Sequence, residues 1–311
     1  MGNEYMNVSG GHKSSKTFKQ QSNLITDIKA LVKSGVLIAN ALPVFAGFWL
    51  ALHFTDASFG EFWGSFLLTM AGSTLVMAGA LILNNWYDSD IDTVMDRTKH
   101  RPTVTGSFSL KTVLRIGIGA TIAGFILLLF TTWETVFYTW IGWFTYVVLY
   151  TMWSKRRYTL NTVIGSISGA VTPLIGWSAV DSAIHIVPLT LFLLLFIWQI
   201  PHTFAIAIRK HDEYKAAGVK MLPVVHGMDV TKRQMTIYVA TLLPLPFLLP
   251  ALGVPFMVIV TILNAAWLVL SIRGLFTDEH RKWAYWNFLY SVNYLTIVFM
   301  LSILVTLPIF D

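Results

Sequence analysis

The run Leu81-Ile82-Leu83-Asn84-Asn85-Trp86-Tyr87-Asp88-Ser89-Asp90-Ile91-Asp92-Thr93-Val94-Met95-Asp96 closes a stretch that carries no charge from Phe62 to Tyr87. About 18 uncharged apolar residues suffice to cross a bilayer as a helix. Here the apolar run ends in a ladder of Asn84, Asp88, Asp92 and Asp96 at four-residue intervals. On a helix each such step overshoots a full turn by about 40°, so Asn84 and Asp92 would lie roughly 80° apart on one face. Carboxylates gathered in this way repel one another. They become favourable around a divalent cation, and Mg²⁺ completes an oxygen shell with water and substrate phosphate. Arg97, Lys99 and Arg101 follow at once. Acids for a metal beside bases for an anion point to a diphosphate site, against the plainer reading of a solvated acidic helix end.

The apolar pattern recurs along the chain. Uncharged stretches cover 35–55, 116–133, 135–154, 158–180 and 182–208. The stretch 234–272 would make a helix of about 58 Å, nearly twice the hydrocarbon thickness. Pro244, Pro246, Pro250, Gly253 and Pro255 interrupt its middle, so it reads as two crossings joined by a tight turn. A last span runs from Trp283 to about Leu307, where Pro308 stops it. The chain is therefore predicted to be an all-α membrane protein with nine transmembrane helices. Composition agrees, with 55% hydrophobic and 12% charged residues, against roughly 25% charged in soluble domains. Mean hydropathy is +0.63.

The 22 Lys and Arg fall in the N-terminal tail, in the segments 88–112, 154–160, 208–233 and 273–282, or at helix ends beside them. The opposite turns hold Asp56, Glu61, Glu134 and Asp181 with no Lys or Arg. This asymmetry predicts a cytoplasmic N-terminus and an outside C-terminus. The net charge of +6 is then an orientation signal, with no nucleic-acid partner implied. Residues 1–22 read as a disordered polar tail. Leu24, Ile25, Ile28, Leu31 and Val32 make 23–33 an interfacial amphipathic helix. Residues 34–308 form one domain, with cytoplasmic cap loops at 88–112 and 208–233. The absence of cysteine excludes disulfides and thiolate metal sites.

The second cap loop carries its own polar cluster. It follows Trp198-Gln199-Ile200-Pro201-His202-Thr203-Phe204 and runs Arg209-Lys210-His211-Asp212-Glu213-Tyr214-Lys215, ending near Met221-Leu222-Pro223. Asp212 and Glu213, placed opposite Asn84, Asp88 and Asp92, would make a two-sided clamp for Mg²⁺ ions on a diphosphate. Taken alone, the loop is equally an ordinary surface of mixed charge.

Asn84 through Asp92 resembles the first Asp-rich motif of the UbiA superfamily of intramembrane prenyltransferases. The continuation Asp96-Arg97-Thr98-Lys99-His100-Arg101-Pro102 resembles the haem O synthase, or protoheme IX farnesyltransferase, branch. So do Lys155-Arg156-Arg157-Tyr158 with Asn161, the run 165–177, Pro201-His202, and Asp212-Glu213-Tyr214 through Met221-Leu222-Pro223-Val224. The resemblance spans roughly residues 35–305. It implies transfer of a farnesyl group from farnesyl diphosphate to the vinyl group of haem b, with water adding to give haem o. Haem b would be a substrate, and a haem A synthase could accept the product. It further implies two Mg²⁺ ions, Asn84, Asp88 and Asp92 serving one side and Asp212 and Glu213 the other. The expected location is a bacterial plasma membrane, with the site facing the cytoplasm. Three positions depart from the family pattern. Ala216 stands where a second acid would complete the four-residue step from Asp212, Lys220 replaces a usual proline, and Thr203 a usual phenylalanine.

Arg97, Lys99, Arg101, Lys155 and Arg209 are candidate diphosphate ligands, Arg101 with bidentate geometry in view. The alternative is that these bases only enforce topology. Lys155, Arg156 and Arg157 also suit a membrane anchor, with one of them free to turn inward. His202, with Trp198 and Tyr214 nearby in sequence, is a candidate for haem, or else satisfies a buried carbonyl. His53 and His185 suit interfacial positions. Gly165 and Gly169 form a small-xxx-small packing surface. Two other functions fit the residues: a UbiA-type prenyltransferase acting on an aromatic quinone precursor or chlorophyllide, and a transporter. Transport calls for charge near the bilayer midplane, whereas these charges sit at span ends.

Overall fold

A computed structural model describes residues 24–307. The tail 1–22 and Pro308 lie outside the described residues. Among those described every regular element is helical. Helix α1 (Leu24–Leu31) is followed by α2 (Ser34–Phe54) and α3 (Phe59–Tyr87). Ser58 starts α3 by accepting a hydrogen bond from the Glu61 N–H at 3.3 Å. A cap segment then holds a 3₁₀ turn, Ile91–Thr93, and the short α4 (Pro102–Thr105). Next come α5 (Leu110–Leu128), α6 (Trp133–Phe144) and a π-helical continuation, Thr145–Ser154. Helices α7 (Asn161–Ala170) and α8 (Thr172–Trp177) precede the long α9 (Ile186–Arg209). The chain ends with α10 (His211–Ala216), α11 (Leu222–Ala240), α12 (Gly253–Arg273) and α13 (His280–Leu304).

Six helices are long and apolar enough to cross a membrane: Ser34–Phe54, Phe59–Tyr87, Leu110–Leu128, Ile186–Arg209, Pro250–Phe276 and His280–Leu304. The other three expected crossings fall on less regular helix. Residues 135–154 change from α to π winding at Thr145. The stretch 158–180 is divided between α7 and α8, just before Pro173. Helix α11 carries Asp229, Lys232 and Arg233 and breaks at Gly227, where φ is +84°.

Several expected boundaries are corrected. The third span begins at Leu110, before Lys111 and Arg115, because long basic side chains can lie along apolar helix surface and still reach water. The second cap is shorter than 208–233, since α11 starts at Leu222. The prolines do break 234–272, into α11, two 3₁₀ turns and α12.

Small residues set the spacing of α3 and α5. A Cβ added to Gly79 would lie 2.3 Å from Thr121 Oγ1 and 2.8 Å from Gly117 O; one on Gly124 would lie 2.6 Å from Gly72 O. Close helix approach through small residues is the usual packing device in lipid, where no hydrophobic force drives helices together. The main core joins α2, α8, α9, α12 and α13 through Leu50, Trp177, Leu191, Phe256, Trp267 and Phe299.

Candidate functional site

Helix α3 ends at Tyr87, Asp88 is its C-cap, and Asp92 sits in the following 3₁₀ turn. The ladder is therefore not one continuous helix, as its spacing suggested. The four-residue step persists in the backbone, because Asp88 N–H donates to Asn84 O and Asp92 N–H to Asp88 O, both at 2.9 Å. Asn84, Asp88 and Asp92 are buried. Asp96 is exposed and pairs with Lys99 at 2.6 Å, so both turn away from the cluster. The Lys99 ammonium holds the Asp96 carboxyl below its ordinary range.

Buried carboxylates need cations, and three segments supply them. Lys155 pairs with Asp88 Oδ2 and Arg101 with Asp92 Oδ2. Asn84 Nδ2 donates to Asp88 Oδ2 at 2.8 Å and to Thr151 Oγ1 at 3.1 Å, while its Oδ1 accepts from Lys33. Arg156 forks onto both Asp90 oxygens at 2.7 Å and lies over the Tyr87 ring. Its guanidinium holds the Asp90 carboxyl below the ordinary range. Lys33, Arg156 and Thr151 are site residues that the sequence reading did not select. Lys33 had a signal in hindsight, since it closes the amphipathic run before the first span.

Lys33 is placed by specific contacts. Asn85 Nδ2 donates to Leu31 O at 2.7 Å, tying the end of α1 to α3. Lys33 then adopts a left-handed conformation, φ 48°, uncommon for a non-glycine residue. Burial, reinforced by the Arg101 and Lys155 charges, holds its ammonium well below the ordinary lysine range. Lys155 is placed by Asn161, whose Nδ2 donates to the carbonyls of Lys155 (3.3 Å) and Lys220 (3.0 Å). This contact uses only the backbone of Lys220.

The two caps meet through an apolar plug of Ile91, Ala207, Val219 and Met221, with Tyr214 packed against it. Burial pushes the Tyr214 hydroxyl up, and the nearby Arg97 and Lys155 charges oppose this. Arg97 itself makes no hydrogen bond or ion pair among the described residues. Asp212 and Glu213 diverge, contrary to the expected pair. Asp212 is exposed and held by His211 and Arg281, which keep its carboxyl below the ordinary range. Ala216, one turn on, is exposed as well. Glu213 meets Lys210 at 2.6 Å, and its Oε2 is buried without a partner. Arg209 lies against the Tyr285 and Phe288 rings, at 5.0 and 5.1 Å. It anchors α9 to α13 rather than joining the acids.

A cavity with about 640 Å³ of empty space, partly open to the surroundings, lies beside α3 just before Asn84. Ala80, Leu81, Trp143 and Tyr146 line it, with Asn40 and Gln199 as polar points. Tyr146, in its wall, is within electrostatic reach of Asp88, Arg97 and Arg101. Gly169 makes room for Gln199: a Cβ there would lie 2.4 Å from Gln199 Oε1. His202 and Trp198 do not line this space. The His202 ring stacks on Trp198 at 4.6 Å and meets Phe288 at 5.2 Å. His202 Nδ1 and Ser291 Oγ lie 2.7 Å apart, and Ser291 Oγ is also 2.7 Å from Phe288 O.

No three His, Asp or Glu side chains among the described residues gather as a ready metal site. The donor chemistry nevertheless fits a hard cation. Asp88 Oδ1 and Glu213 Oε2 are buried acceptors without a hydrogen bond, and Mg²⁺ takes few protein ligands when phosphates and water supply the rest.

A profile of the UbiA prenyltransferase family matches residues 40–293. The chain belongs to this family. Protoheme IX farnesyltransferase of Oceanobacillus iheyensis is 58% identical over 295 residues, 94% of each chain. The protein of the same description from Bacillus cereus strain G9842 is 52% identical, covering 94% of this chain and 96% of its own. These relatives place the chain in the haem O synthase branch of the UbiA family. Among solved structures, one of digeranylgeranylglyceryl phosphate synthase has a TM-score of 0.72 at 17% identity, covering 91% of this chain and 98% of its own. A UbiA homologue from Archaeoglobus fulgidus bound to DMAPP and Mg²⁺ has a TM-score of 0.66 at 15% identity, covering 87% and 99%. At such identities the likeness establishes the UbiA fold.

Proposed function

We infer that this chain transfers the farnesyl group of farnesyl diphosphate to the vinyl group of haem b, with addition of water, giving haem o and diphosphate. The observation that carries prenyl transfer is the set of buried acids and clustered cations at the end of α3, with an apolar cavity beside the same helix. The choice of haem rests on the protoheme IX farnesyltransferases at 51–58% identity over most of the chain. The farnesyl chain occupies the cavity, and its diphosphate meets Arg97, Arg101, Lys155 and Lys33. Asn84, Asp88 and Asp92 hold one divalent ion, and Glu213 contributes to a second. Mg²⁺, when bound, supplies charge to the leaving oxygens.

Preorganised cations stabilise the charge that develops as the allylic C–O bond breaks and diphosphate departs with the electron pair. The cavity walls exclude water from the allylic cation. The vinyl π electrons form the new carbon–carbon bond, and water adds to the resulting cation and loses a proton. The haem side is assigned to His202, whose ring is fixed by Ser291, Trp198 and Phe288, and to Tyr214 beside the diphosphate cluster. The nine-crossing topology, with the N-terminus and site cytoplasmic in a bacterial plasma membrane, is part of the same reading. Its support is the confinement of Lys and Arg to the tail and to alternate loops, with Lys33, Arg101 and Lys155 beside Asn84, Asp92 and Asp88. Supplying purified protein and farnesyl diphosphate with haem b or with 4-hydroxybenzoate tests the acceptor. Prenylated haem alone is expected; prenylation of the aromatic acid alone would overturn the assignment.

A further inference from the structure

Helices α12 and α13 enclose a second space that the transfer reaction does not use. It is a cleft with about 1340 Å³ of empty space, lined by Leu263, Leu270, Trp286, Tyr290, Tyr294 and Ile297, with Arg273, Glu279 and Lys282 at one end. Its flanks belong to the outer surface, where Ile262, Val269, Trp286 and Ile297 are exposed. The charged end lies at the same level as the catalytic caps, because Arg281 pairs with Asp212 and Lys232 donates to Thr277 O at 2.7 Å.

Two independent features describe the occupant. Arg273 makes no hydrogen bond or ion pair among the described residues, whereas Lys282 meets Glu279 at 3.0 Å. One cation is thus left over at the mouth. The remaining wall is apolar and aromatic, with Trp283, Trp286 and Tyr290 near the charged end, as suits the headgroup level of a bilayer.

We propose that this cleft binds one anionic glycerophospholipid. Its phosphate meets Arg273 and Lys282, and an acyl chain follows Leu263, Leu270 and Ile297. The bound headgroup lies against the 274–282 turn, which braces α10 through Arg281, so lipid occupancy stabilises the cap that carries Glu213.

The test uses the full chain, delipidated in neutral detergent and titrated with phosphatidylglycerol or phosphatidylcholine, with bound lipid counted by native mass spectrometry. One phosphatidylglycerol should bind in preference to phosphatidylcholine. Each basic residue is worth about fivefold in affinity for an anionic surface, so Arg273→Ala with Lys282→Ala should lose roughly thirtyfold. Glu279→Gln, which removes the competing carboxylate, should gain about fivefold, and this arm stands even if the double variant folds poorly. Equal retention of both lipids, or a Glu279→Gln protein with unchanged affinity, would overturn the proposal. Displacement of the lipid by farnesyl diphosphate would reassign the cleft to the substrate.

Discussion

Asp88 is fully buried, shares one oxygen with Lys155 and Asn84, and leaves the other without a hydrogen bond. A carboxylate held in this way is poised to exchange a protein cation for a metal. Its neighbours show why spacing alone misled for the second cluster. Sequence adjacency grouped Asp212 with Glu213, but on a helix adjacent side chains point about 100° apart, so Asp212 faces solvent while Glu213 is mostly buried. The two should therefore behave differently. Glu213→Gln should slow transfer by roughly ten- to a hundredfold, as expected for loss of one supporting interaction with developing charge. Asp212→Asn should change the rate by less than about threefold, since exposed ion pairs contribute little. Steady-state rates of the two variants decide this. A larger loss in Asp212→Asn would return the second motif to its expected form.

At the scale of elements, α9 separates two environments on neighbouring faces. Gln199 reaches the cavity beside α3 against Gly169, and His202 faces α13 through Ser291 and Phe288. The haem assignment then makes a separable prediction. His202→Ala should weaken haem affinity and shift haem absorbance, while farnesyl diphosphate binding is retained. Unchanged haem affinity with a loss of about 1–3 kcal/mol in stability would make His202 a packing residue. The helices were legible in the sequence wherever uncharged runs ended cleanly at charges, as for α3 and α9. They were less legible where bases lie along a helix, as at Lys111 and Arg115, or where winding changes, as at Thr145. The acid ladder was legible from Asn84 to Asp92. Lys33 was not, because its place depends on the Asn85 contact to Leu31, which no local pattern encodes. The cavity was also hidden, since its aromatic walls resemble those that face lipid.

For the whole molecule, the acid cluster and the bases paired with it share one end of the bundle, and the proposed topology puts that end in the cytoplasm. The cysteine-free chain allows a direct check. Lys99→Cys should react with an impermeant maleimide in inverted vesicles and not in intact cells; the reverse would invert the topology and the site with it. The central claim is that a metal-assisted diphosphate site built on Asp88 drives farnesyl transfer to haem. It is tested most directly by the mass of haem recovered after incubating purified protein with haem b and farnesyl diphosphate. With Mg²⁺ the wild type should convert haem b to the hydroxyethylfarnesyl product. EDTA should stop this, and Asp88→Asn should cut the rate roughly a thousandfold, several kcal/mol of transition-state stabilisation, while the protein remains folded. Wild-type turnover by Asp88→Asn in excess EDTA would contradict the account.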